Sequence, residues 1–104
     1  MKIKGGVKLL GLQPQMIICC MVIEQILESY GQELVITSGS DGKHASKKSR
    51  HYAGFAIDIR HRDIGSDEDK IKCAEAMRKA LGSEYYVLTE STHYHCQYNG
   101  SANV

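Results

Sequence analysis

The chain has 104 residues, enough for one small domain and too few for two, since independent domains rarely run below about 50 residues. Hydrophobic residues make up 42% and charged residues 24%, a globular balance that excludes a disordered or fibrous chain. Thirteen Lys and Arg against twelve Asp and Glu give a formal charge of +1, so no global field draws the protein to nucleic acid or to an anionic membrane.

The basic start of the chain leads to an apolar run at 16–23. That run falls well short of the roughly 18–20 residues of a membrane span, and no small-residue cleavage site follows it before Glu24. Stable membrane insertion and a signal peptide are therefore not expected, and folding in a cytoplasm is. Pro14, the single proline, suits the first turn of a helix, where its missing N–H costs nothing. The helix is expected over 14–30, with Met16, Ile17, Cys20, Ile23, Leu27 and Tyr30 as its apolar stripe and Gly31 as its left-handed stop. Residues 33–37, with β-branched Val35, Ile36 and Thr37, read as a strand that breaks at Ser38-Gly39. A polar loop follows over 38–50, long enough for a compact domain to suggest a functional segment.

Residues 55–60 alternate as a second strand, with Phe55, Ile57 and Ile59 on one face and Ala56, Asp58 and Arg60 on the other. Ser66 is the expected cap of a second helix, with Asp67, Glu68 and Asp69 in its first turn and Ile71, Ala74, Met77 and Leu81 as its stripe before Gly82. Two further strands are expected at Tyr85–Thr89 and His93–Tyr98, followed by a polar tail. Helices and strands do not alternate regularly, so the expected fold class is α+β: a small antiparallel sheet with two or three flanking helices in a single domain over 1–104. Cys19, Cys20, Cys73 and Cys96 form no CxxC pair and are expected as buried free thiols. Tyr85, Tyr86, Tyr94 and Tyr98 are expected to pack on the sheet, while Tyr52 is a candidate for lining a substrate groove. His61 and Arg62 are expected at the surface.

The chemistry gathers in the polar, strand-terminal segments, which hold His44, His51, His93 and His95. His93 and His95, two apart in a strand, project to one face, which is either the start of a metal site or a half-exposed strand face with polar residues toward water. His51 and Asp58 are seven apart, which an unbroken strand would send to opposite faces. They converge only if the strand begins after a bend, and Gly54 is the residue that permits the bend or a close approach by a neighbouring segment. Small Ala56 leaves room beside Asp58. Two imidazoles and a carboxylate would leave the fourth position of a tetrahedral Zn²⁺ open, as in catalytic zinc sites.

The stretch SGSDGKHASKKSRHYAGFAID, ending at Asp58, resembles the S-x-H-x-x-G-x-A-x-D signature of the zinc D-alanyl-D-alanine carboxypeptidase family, particularly its short phage-encoded, endolysin-like members. ESTHYHCQY, beginning at Glu90, resembles the E…HxH ending shared by these peptidases and by the zinc fold of hedgehog signalling domains. The resemblance implies His51 and Asp58 as the first two zinc ligands and His95 as the third. It implies His93 as support for the transition-state oxyanion or the catalytic water, and Glu90 as general base. An ExxH ending is also present from Glu90 to His93, which leaves His93 as the alternative third ligand. Where many members carry an arginine after the first SG, this chain has Ser40-Asp41-Gly42-Lys43. Lys43, His44 and Arg50 are the candidates for holding substrate, a solvated basic loop being the alternative for Lys43 and Arg50.

The expected function is thus a zinc-dependent peptidase, acting as a monomer on an amide bond of bacterial peptidoglycan stem peptides. It would be made in the host cytoplasm and released to the cell wall. A non-catalytic zinc-binding module for a peptide or virion partner is the alternative. A metal-dependent nuclease using the basic loop is disfavoured by the near-neutral charge.

Overall fold

The computed structural model describes residues 1–41, 51 and 54–100. Five strands and two helices follow in the order β1 (Lys2–Ile3), α1 (Pro14–Ser29), β2 (Val35–Ser38), β3 (Ala56–Arg60), α2 (Asp67–Leu81), β4 (Tyr85–Thr89) and β5 (His93–Tyr98). They make an α+β domain with one sheet in the order β1-β2-β3-β5-β4. The β2–β3, β3–β5 and β5–β4 pairs are antiparallel, and β1 adds a parallel edge, so the sheet is mixed. This edge strand has no signature in the sequence. It is two exposed residues held by backbone bonds, Lys2 N–H to the Leu34 carbonyl at 2.8 Å and Lys4 N–H to the Ile36 carbonyl at 2.9 Å.

Helix α1 starts at Pro14 and ends in a Schellman motif, with Gln32 N–H on the Leu27 carbonyl, Gly31 N–H on the Glu28 carbonyl, and Gly31 at φ +71°. Its buried side is Met16, Cys19, Cys20, Ile23 and Leu27. Ile17, expected in the stripe, is 52% exposed. The run at 16–23 is apolar all round, so periodicity alone does not fix which flank turns inward. Here Cys19 takes the place that Ile17 does not. In α2 the Ser66 Oγ accepts from the Asp69 N–H at 3.1 Å, three acidic residues meet the positive end of the dipole, and Arg78 and Lys79 meet the negative end. Cys73, Ala74 and Met77 are buried, whereas Ile71 is exposed, contrary to expectation. No helix among the described residues is long and apolar enough to cross a membrane.

One face of the sheet supplies Ile57, Ile59, Val87, Tyr94, Cys96 and Tyr98 to a core shared with α1 and α2. Burial alternates residue by residue along β5, so His93, His95 and Gln97 turn to the opposite face. All four cysteines are free and buried, and burial, with the neighbouring Cys19 and Glu24, pushes the Cys20 thiol up to about 12. Of the tyrosines expected on the sheet, Tyr94 and Tyr98 are buried and Tyr85 half-buried. Tyr86 is exposed, because on edge strand β4 it alternates with the inward-facing Val87.

Candidate metal centre

Sheet register performs much of the assembly. Asp58 on β3 lies directly opposite His95 on β5, so the two side chains rise from the same face. His51 reaches that face from outside the sheet. The chain turns between His51 and Gly54, with the Gly54 N–H on the His51 carbonyl at 3.1 Å and Gly54 at φ +80°. A Cβ on Gly54 would overlap the Gly11 carbonyl oxygen, so the bend and the close approach expected of this glycine both occur.

The outcome is a triangle: His51 Nε2, His95 Nδ1 and Asp58 Oδ1 lie 3.2 Å from one another. The outer nitrogens of the two rings determine what those atoms offer. His51 Nδ1 is 2.9 Å from the Gly39 carbonyl oxygen, which can only accept, so Nδ1–H donates there and Nε2 keeps its lone pair. Gln97 Nε2 donates to Asn99 Oδ1 at 2.6 Å, turning Gln97 Oε1 toward His95. The His95 Nε2–H donates to that oxygen at 2.6 Å, and Nδ1 keeps its lone pair. Two lone pairs and a carboxylate oxygen at this separation need a proton or a cation among them.

The spacing fits a metal. Neighbouring vertices of a tetrahedral site are about 1.63 bond lengths apart, or about 3.3 Å for zinc–nitrogen and zinc–oxygen bonds of about 2.0–2.1 Å. Among the described residues no other group of three His, Cys, Asp or Glu side chains converges in this way. Electrostatics points the same way. Burial would push the Asp58 carboxyl up, but hydrogen bonds with His51 and His95 and the charges of His51 and His93 outweigh it and hold the group well below the usual carboxylate range. His95 is raised above its ordinary value, chiefly by its hydrogen bond with Asp58 and against the effect of burial, with Gln97, Asp58 and Glu90 contributing. Both shifts describe the triangle with a proton at its centre, the place a cation would take.

His93 stands beside this group and outside it. Its Nε2 is 3.6 Å from Asp58 Oδ2, the other carboxylate oxygen, and its Nδ1 is 2.9 Å from Thr92 Oγ1. Its side chain is 29% exposed against 3% for His51, which leaves it open to an incoming molecule. Glu90 is exposed at the start of the β4–β5 connection, its N–H on the His93 carbonyl at 2.8 Å. Lys43, His44, Arg50 and Tyr52 lie outside the described residues.

Three contributors were not expected. The Gly39 carbonyl orients His51, and nothing in the sequence marks it. Gln97 orients His95 and does carry a signal, the period-two series His93, His95, Gln97. His61 is a correction, since it is 2% exposed and not at the surface, while Arg62 is exposed as expected. The alternation Phe55, Ile57, Ile59 carried one step further puts His61 on the core face. There its ring meets Tyr94 edge-on, with centroids 5.0 Å apart, and its Nε2–H donates to the Glu90 carbonyl at 2.7 Å.

No curated protein and no solved structure matches the chain significantly. A family model described as Peptidase M15 matches residues 2–97, a span that includes His51, Asp58, Glu90, His93 and His95. With a metal-fitting triad set on the outer face of its sheet, the chain belongs to the peptidase M15 family.

Proposed function

We propose that the protein is a zinc-dependent peptidase that hydrolyses an amide bond in bacterial peptidoglycan stem peptides, in the manner of a phage endolysin. The observation that carries this reading is the 3.2 Å triangle of His51 Nε2, Asp58 Oδ1 and His95 Nδ1 in a chain of a peptidase family. The peptidoglycan substrate and the endolysin role are supported by the resemblance to D-alanyl-D-alanine carboxypeptidases. His51, Asp58 and His95 would hold the zinc, which would supply an acidified water and polarisation of the scissile carbonyl.

The chain's own residues supply the remainder. Glu90 takes the proton of the attacking water and returns it to the leaving amine. His93, beside Asp58 and partly exposed, supports the negative charge that develops on the carbonyl oxygen. Lys43, His44 and Arg50 are assigned to the substrate's carboxylate or carbonyl groups, an assignment that rests on the sequence.

The test is elemental analysis of purified wild type, His51→Ala and Glu90→Gln, with hydrolysis of purified cell walls followed in the same samples. One zinc per chain in the wild type, lost together with hydrolysis in His51→Ala, is expected. Glu90→Gln should retain zinc and lose turnover by about 100-fold or more. Zinc with no hydrolysis of any wall type would favour a non-catalytic binding module, and a wild type that takes up no zinc would overturn the reading.

A further inference from the structure

His61 lies outside the metal triangle and does not reach it, yet it holds the residue to which the general-base role is assigned. Its Nε2–H donates to the Glu90 carbonyl at 2.7 Å, and the Glu90 N–H donates to the His93 carbonyl at 2.8 Å. Glu90 is thereby held on both sides of its Cα. Its N–H is tied to the strand that carries His93 and His95, and its carbonyl is tied to the end of the strand that carries Asp58. The two anchors join the base to both strands of the metal site.

Packing alone does not account for a histidine here. The ring sits edge-on to Tyr94, a place a phenyl ring would also fill. Its buried Nδ1 has no hydrogen-bond partner among the described residues, and an unpaired buried nitrogen is a cost that phenylalanine would not bring. Tyr94 is itself fixed, its hydroxyl donating to the Lys70 carbonyl at 2.6 Å on α2, so the wall behind His61 is rigid. What the imidazole adds over a phenyl ring is the bond to Glu90.

We propose that His61 is a positioning residue that fixes the Glu90 backbone relative to the metal site, so that the carboxylate is held where water is activated. This rests on the assignment of Glu90 as base. A base displaced by about 1 Å loses much of its rate without loss of substrate affinity, so the effect belongs in kcat and not in KM or in zinc binding.

The experiment compares zinc-loaded wild type, His61→Phe, His61→Gln and Glu90→Gln on purified cell walls and on a soluble stem peptide derived from them. Amide hydrogen exchange at Glu90, whose N–H donates to the His93 carbonyl, is measured in the same proteins. His61→Phe should lower kcat about 10- to 100-fold, with KM within about twofold, one zinc per chain, and faster exchange at the Glu90 amide. His61→Gln, whose amide donates from the place of Nε2, should recover most of the rate and the protection. If His61→Phe does not fold, His61→Asn takes its place, because its shorter amide does not span to the carbonyl. Inactive Glu90→Gln beside fully active His61→Phe overturns this inference and leaves the function standing. Equal losses in the Phe and Gln variants overturn it too, since the donated bond would then be irrelevant. A Glu90→Gln variant as active as wild type overturns the base assignment and this inference with it.

Discussion

Gly54 shows how a single missing Cβ holds the site together. Its positive φ lets the chain bend between His51 and β3, and its bare Cα lets that bend lie against Gly11. The Gln13 N–H then donates to the Gly54 carbonyl at 3.0 Å, one residue ahead of α1. Gly82 has a similar φ of +89° but open space around it, so the two glycines separate backbone strain from steric overlap. Gly82→Ala should cost about 1–3 kcal/mol, the penalty of a Cβ in an extended positive-φ conformation, φ +89° and ψ 179°, that is essentially confined to glycine. Gly54→Ala should cost about 4 kcal/mol or more, because the overlap is with backbone that cannot swing aside. It should also weaken zinc binding by dislodging His51. Denaturant unfolding of both variants with a zinc titration checks this. Equal stability losses would mean that the contact with Gly11 is not tight in solution.

At the scale of elements, the readable features are those that local chemistry decides. Pro14, Gly31 and Ser66 set helix ends through backbone donors and acceptors within a few residues of them, and both helices form within a residue of the expected bounds. The alternation in β3 and β5 likewise puts Asp58 and His95 on the faces of their strands turned away from the core. What the sequence left open depends on distant partners. Strand β1 exists because β2 offers it an edge, and Ile17 and Ile71 stay outside because the helices rotate to suit one another and the sheet. The convergence of His51, Asp58 and His95 was legible as a set of residues, whereas the ring nitrogens that face one another were not, since Gly39 and Gln97 select them. Ser66→Ala tests the local part. Loss of the bond to the Asp69 N–H should cost about 1 kcal/mol and lower Tm by about 4–8 °C, with zinc stoichiometry unchanged. A Tm within a degree of wild type would show that α2 is held by its packing and not by its cap.

For the whole molecule, the candidate metal site brings together parts of the chain that the sheet alone joins less firmly. His51 lies before β3, Asp58 within it and His95 near the end of the chain on β5, so a ligand bound to all three ties a segment outside the sheet to its two central strands. The unfolded chain has no such preformed set, and binding free energy therefore becomes folding free energy. At a free zinc concentration about a thousandfold above the dissociation constant, the gain is about 4 kcal/mol. For a domain of this size that raises Tm by roughly 15–30 °C. Thermal unfolding with excess zinc and with a chelator should show that interval in the wild type. His51→Ala should unfold at nearly one temperature under both conditions. The interval should also shrink as the pH falls, because protons compete with the metal for both imidazoles and for Asp58. A wild-type Tm that ignores zinc at neutral pH would mean that the triangle closes around a proton alone, and the metal centre would have to be abandoned.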